Sequence, residues 1–268
     1  MTTSFVALSY WDLAAAAVLI VINAGLSIGF RLGLERSLLI AAVRTVVQLM
    51  LIGLVLKTLF ALADPLWTAL AATVMAAFAV REATARQDRR FTGLWTHGLG
   101  AGSILFAGVT VTILALTVLI QPEPWYAPRF ALPLMGMIVA NTMSGVALGL
   151  NHLMGSVARE RASIEARLAL GHDRRTALAG PRRAALKTAM MPIINAMSVA
   201  GVVSLPGMMT GQILAGADPV EAVKYQVIIM FTIAGSIGIG AVLAIEGAAM
   251  RLTDSRHRLR LERLAGEE

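Results

Sequence analysis

The stretch QVIIMFTIAGSIGIGAVLAI, residues 226–245, runs for twenty positions without an ionisable side chain. At 1.5 Å per residue, a helix of that length covers about 30 Å, the hydrocarbon thickness of a bilayer. Its apolar residues are continuous and do not alternate, so the segment reads as a helix and not as a barrel strand. Lipid offers no hydrogen-bond partner to a bare peptide group, and a helix satisfies its backbone internally.

Working outward, further apolar runs fall near 190–214, 130–150, 98–120, 65–80, 37–56 and 13–30, which makes seven. The chain is 57% hydrophobic and only 15% charged, against roughly 25% charged in soluble domains. Its mean hydropathy is +0.73. A water-soluble fold could not hide that much apolar surface. The expectation is an all-α polytopic membrane protein with about seven transmembrane helices, a single permease domain over 1–250 and a basic tail over 251–268. The chain contains no cysteine, which excludes disulfides, thiolate metal ligands and cysteine nucleophiles. No basic residue precedes the first run and no small-residue cleavage site follows it, so no removable signal peptide is expected.

Lys and Arg are distributed unevenly over the loops. The segments 31–36, 81–97, 151–189 and 251–268 together hold 19, and the opposite set holds Lys57, Arg129 and Lys224. By the positive-inside rule the N-terminus lies outside and the C-terminus in the cytoplasm. The net charge of +7 therefore reports topology, and nucleic acid is not an expected partner. The tail is expected to lie against the anionic leaflet.

The largest polar segment is 151–189, which includes GSVARERASIEARLALGHDRRTALAGPRRAALKTA. Val157, Ile164 and Leu168 form one stripe of a short amphipathic helix. Gly171 is placed to end it as the C′ residue, Asp173 to cap a second helix, and Pro181 to begin a third. Such an elbow is either a shape for docking on something in the cytoplasm or an amphipathic linker lying on the membrane.

EARLALG, from Glu165 through Ala166 to Gly171, resembles the Glu-Ala-Ala-x-x-x-Gly coupling signature of ABC importer permeases, with Arg167 replacing the second Ala. MGMIVANTMSGVALGLNHL and MMPIINAMSVAGVVSLPGMMTGQILAGADPVEAVKYQ, followed by IIMF, resemble the FetB-type permeases. These are small bacterial membrane proteins implicated in iron export and related to plant permeases linked to aluminium tolerance. The similarity covers roughly 37–250. It implies a plasma-membrane permease, with a permease homodimer bound to separate cytoplasmic ABC ATPase subunits and iron or another metal ion as cargo. It also implies that Ile164, Glu165, Ala166, Leu168 and Gly171 form the ATPase contact, with Ile164 and Leu168 as the inserted ridge. No G-x-x-x-x-G-K-[ST] phosphate loop occurs in the chain, so ATP hydrolysis by that route needs a partner and the chain itself is not read as an enzyme. No cofactor is expected.

Polar side chains at membrane depth are functional candidates or helix-packing groups. Asn141 and Ser144 share a face of the fifth run, and Asn195 and Ser198 share a face of the sixth. Within SLPGMMTGQIL, Met208, Met209, Thr210 and Gln212 add sulfur and oxygen, a combination tolerable for Fe(II). Met residues also pack gaps, and that reading stays open. Pro206, Gly207 and Gly211 break the sixth run, either as an outer hinge or as a static kink in a continuous helix. In the second run Arg44 and Gln48 lie one turn apart, and Glu246 lies at similar depth in the seventh. Arg44 and Glu246 either pair or snorkel separately. The four histidines show no metal-ligand spacing. Two other readings remain: the same machine moving a small organic solute such as a nucleotide sugar, or a channel or carrier without an ATPase.

Overall fold

Ser9 opens the first helix with a capping box. Its Oγ accepts from the Asp12 backbone N–H at 3.3 Å, and the Asp12 carboxylate accepts from the Ser9 N–H at 2.7 Å. The computed structural model describes residues 9–62, 64–85, 95–254 and 256–264. Residues 86–94 of the basic loop 81–97, and the last four residues of the tail, lie outside the described residues. Helix α1 (Tyr10–Gly29) turns into α2 (Glu35–Leu62) through Arg31 and Gly33, both at positive φ. Ser27 ties the turn, accepting from the Leu34 N–H and donating to Glu35, each at 2.9 Å. These two helices form one compact unit, and the helices from Asp64 onward form another.

The second unit begins where Asp64 accepts from the backbone N–H groups of Leu66 and Trp67 at the head of α3 (Pro65–Ala85). It continues with α4 (Trp95–Leu114), which widens into a π turn over Ala115–Ile120, and α5 (Pro128–Arg159). Three short elements follow: α6 (Arg161–Ala169), α7 (Arg174–Ala177) and then the longer α8 (Ala179–Val199). The unit closes with α9 (Gly207–Leu214), α10 (Pro219–Arg251) and a 3-10 turn at Leu261–Arg263. The described residues contain no strand, only two isolated bridges.

Helices α5 and α10 pack on each other, and α4 and α8 pack on both. Association in lipid gains little from hydrophobic exclusion, so it depends on close approach. A Cβ on Gly145 would stand 2.7 Å from Ile237 Cγ2 and 3.1 Å from the Ala189 carbonyl oxygen. One on Gly149 would stand 3.1 Å from Ala189 Cβ and 3.4 Å from the Ala185 carbonyl oxygen. Two small residues four apart on α5 thus meet two small residues four apart on α8. Between α5 and α10, Thr142 and Ser236 share a buried hydrogen bond of 2.6 Å.

Among the described residues six helices are long and apolar enough to cross a membrane: α1, α2, α3, α4 with its π turn, α5 and α10. The sixth run expected from the sequence, 190–214, is not one helix. A tight non-helical turn at Ala200–Ser204 divides it, with Gly201 at φ +80° and its N–H bonded to the Ser204 carbonyl at 2.9 Å. The first part belongs to α8, which starts earlier and carries Arg182, Arg183 and Lys187. The kink expected from Pro206, Gly207 and Gly211 is therefore corrected to a full interruption upstream of them. Pro206 is the N-cap of α9, while Gly207 and Gly211 are ordinary helical positions with open space around a would-be Cβ.

Residues 252–264 also depart from a simple surface tail. Arg260 N–H bonds the Leu252 carbonyl at 2.8 Å, and Leu259, Leu261 and Leu264 pack on the core that contains Leu252 and Ala249.

Candidate translocation face and coupling elbow

Arg159 ends α5, and Glu160 joins it directly to α6. The C-terminus of α6 closes by two backbone bonds, Gly171 N–H to the Leu168 carbonyl and His172 N–H to the Arg167 carbonyl, both 3.1 Å. Gly171 sits at φ +89°, the left-handed C′ position of this Schellman arrangement. Asp173 then caps α7, its carboxylate accepting from the Thr176 N–H at 2.9 Å. The Thr176 hydroxyl first, and its backbone N–H second, hold the Asp173 carboxyl below the usual carboxylate range. His257 Nδ1 accepts from the Arg174 N–H at 3.3 Å, so the end of the chain touches the elbow.

The stripe expected to face a partner faces inward instead. Ile164 is 1% exposed and, like Val157, lies in the core with Ala177 and Leu178, while Leu168 packs against it half-buried. Ile164 and Leu168 therefore orient α6, and they are corrected as a docking ridge. The free surface carries Glu165, Ala166 and Ala169, with Arg161 bonded to Glu165 at 2.8 Å. At its tip Leu170 is 80% exposed beside Gly171. Leu170 was not singled out in the sequence, because its place at the tip follows from the end of α6 and not from the stripe.

Asn141 and Ser144 lie on the exposed side of α5, and Asn195 and Ser198 on the exposed side of α8. Asn141 donates to the Met137 carbonyl at 2.8 Å, Ser144 to Ala140 at 3.0 Å, and Ser198 to Ile194 at 2.8 Å. Asn141, Ser144 and Ser198 each thus spend one donor within their own helix, and their oxygens keep free lone pairs. The result is a neutral polar face rich in acceptors. No hydrogen bond links these four residues to one another among the described residues. They also line neither described cavity. The larger, about 520 Å³, is apolar and lies among α3, α4 and the loop at Trp125–Tyr126.

At the break, Val202 is 89% exposed and Leu205 is also exposed. In α9, Met208 packs half-buried on the cluster of Ile193, Ile229 and Ile233, and Thr210 bonds back to the Pro206 carbonyl at 3.2 Å. Met209 is half-buried too. The amide oxygen of Gln212 is buried without a donor, and so is that of Gln226 on α10, the helix against which α9 packs. Gln226 was not singled out in the sequence, and no hydrogen bond joins it to Gln212 among the described residues.

Glu246 makes an ion pair with Arg182 of α8, a partner the sequence reading did not consider. Arg182 lies within the elbow segment, 64 positions away, so no local spacing reveals the pair. Arg44 and Gln48 belong to α2, in the other compact unit. Among the described residues no three His, Asp or Glu side chains come together as a metal-binding group.

Long apolar helices locked through glycine and alanine define a multi-pass membrane protein. The chain belongs to the UPF0014 family, whose model, that of an uncharacterised protein family, matches residues 10–252. It is 31% identical to the probable iron export permease protein FetB of Escherichia coli K12, over 92% of this chain and 93% of that one. It is 33% identical to the UPF0014 membrane protein YjkA of Bacillus subtilis, over 88% and 92%. It is 36% identical to the UPF0014 membrane protein STAR2 of Oryza sativa subsp. japonica, over 86% and 79%. The first of these is described as a permease and the other two as membrane proteins. No solved structure matches the chain.

Proposed function

We propose that the chain is the permease subunit of an ATP-driven ABC exporter that moves iron or another metal ion out of the cytoplasm. The observation that carries the reading is the elbow. Its inward stripe anchors α6, its Schellman turn fixes Gly171, and its outer surface of Glu165, Ala166 and Leu170 is left for a partner. The 19-to-3 split of basic residues supports placing the elbow and the C-terminus in the cytoplasm, where an ATPase would meet them. The relative named as a probable iron export permease supports the cargo.

The pathway in this reading is the acceptor face of Asn141, Ser144, Asn195 and Ser198, with Met208, Met209, Thr210 and Gln212 near the break. Amide and hydroxyl oxygens suit hard cations, and neutral ligands release what they bind. An open face on one chain needs a second wall, which a homodimer supplies. The loop 200–206, with Pro206 as the cap of α9, serves as the outer hinge.

The test is capture of the ATPase subunit from intact cells, followed by its activity in lipid. Glu165→Lys combined with Leu170→Asp should lower co-purified ATPase by about tenfold or more, as loss of an interface anchor does. Unchanged capture and stimulation by the variant would make the elbow a membrane-surface linker, and failure of the wild type to capture an ATPase would remove the ABC reading.

A further inference from the structure

The end of the bundle nearest the elbow holds a cavity of about 170 Å³ lined by Arg174, Arg175, Arg182 and Glu246. A single water needs only about 10–15 Å³ measured in this way, so the space admits a group of several heavy atoms. The transport reading uses none of these residues. Three guanidiniums face one carboxylate here, and Glu246 is already paired with Arg182. The side chains of Arg174 and Arg175 have no hydrogen-bond or ion-pair partner among the described residues. Arg182 gives one further bond to the Arg175 carbonyl at 3.4 Å, and its buried Nε has no acceptor. A buried donor without a partner is costly, and an arginine cannot escape by losing its proton. The cavity is therefore short of an anion.

We propose that this cavity binds the phosphate group of an anionic phospholipid. Guanidinium forks match phosphate oxygens two at a time. Although the neighbouring Asp173 carboxylate feels the Arg175 charge, it forms no ion pair with Arg174 or Arg175 among the described residues and does not line the cavity. The remaining wall is apolar: Leu178, Ala249 and Met250. Met250 is 54% exposed, and Leu243 two turns earlier on α10 is exposed as well. Acyl chains attached to the phosphate would follow that apolar surface, whereas a free phosphate would gain nothing from it. Basic pockets between membrane helices are characteristic headgroup sites. Binding does not require the ABC reading; only the choice of inner leaflet rests on the orientation proposed above.

The experiment uses the full-length protein in mild detergent, offered phosphatidylglycerol, phosphatidylcholine or inorganic phosphate, with retained lipid read by native mass spectrometry. The wild type should retain phosphatidylglycerol in preference to phosphatidylcholine. Arg174→Ala with Arg175→Ala removes two basic contacts and should lower that preference by about thirtyfold. The backbone groups of both residues keep their bonds in this variant. Arg183→Ala with Lys187→Ala removes equal charge from exposed positions of α8 that do not line the cavity, and should leave the preference unchanged. Three results would overturn the proposal: no preference in the wild type, equal losses in the two double variants, or full protection against heat by inorganic phosphate alone. The last would assign the cavity to a soluble phosphate.

Discussion

Asp254 accepts hydrogen bonds from the backbone N–H groups of Arg256 and Arg258 and from the guanidiniums of Arg258 and Arg260, all between 2.9 and 3.0 Å. Its side chain is 12% exposed. The Arg258 N–H contributes most, and together these donors hold the carboxyl well below the ordinary carboxylate range. A group with a depressed folded pKa stabilises the fold above its unfolded value, near 3.9 for Asp, and that contribution is lost as pH falls towards the folded value. Hydrogen-exchange protection factors of residues 252–254 and 256–264, corrected for the intrinsic pH dependence of exchange, should therefore be constant from neutral pH to about 5 and fall only below about 4. Asp254→Asn should release the segment at any pH, seen as faster tryptic cleavage after Arg256 and Arg258 at pH 8. Equal cleavage of variant and wild type would mean that the leucines alone hold it. None of this was legible beforehand. A run of five arginines in eighteen residues reads as a basic tail, because the folding back depends on one acid and three leucines meeting a surface assembled from distant helices.

At the scale of elements, the apolar runs were legible because lipid demands continuous helices, and six of the seven runs coincide with the long apolar helices found among the described residues. What could not be read was the sixth run's interruption. Pro206 is the conspicuous breaker, yet α8 stops at Val199, where Gly201 adopts a left-handed conformation and Val202 and Val203 turn outward. Proline is tolerated as a cap, and glycine at positive φ decides where the helix is interrupted. The inward direction of Ile164 escaped for a related reason. A stripe reveals that a helix has two faces, but not whether its own chain or a partner covers the apolar one. Gly145 and Gly149 were legible as a small-residue pair, yet the polar neighbours Asn141 and Ser144 took the attention. The packing argument makes a sharp contrast. Gly145→Leu should lower the thermal midpoint in detergent, since inserted volume in close packing costs about 1–3 kcal/mol. Ser144→Leu, on the exposed side of the same helix, should change stability by no more than about 0.5 kcal/mol. Equal midpoints for the two variants would contradict the close approach of α5, α8 and α10.

In the function proposed above, a polar face, a broken helix and an elbow form one machine that needs a second copy and an ATPase. The long core helices α5 and α10 pack against α8, which runs directly out of the elbow. A push at Gly171 would be transmitted along packed helices, the kind of contiguous element that carries coupling. Replacing Gly171 by a β-branched residue places a side chain in the left-handed region, at a cost of about 1–2 kcal/mol, and should reorient α7 without unfolding the bundle. The most direct measurement is Fe(II) accumulation in proteoliposomes that carry the permease with its ATPase exposed outside. Uptake into the lumen should require ATP and both chains, and Gly171→Val should abolish it while assembly and ATP hydrolysis persist. Uptake that proceeds without the ATPase, or that Gly171→Val leaves at the wild-type rate, would contradict the account.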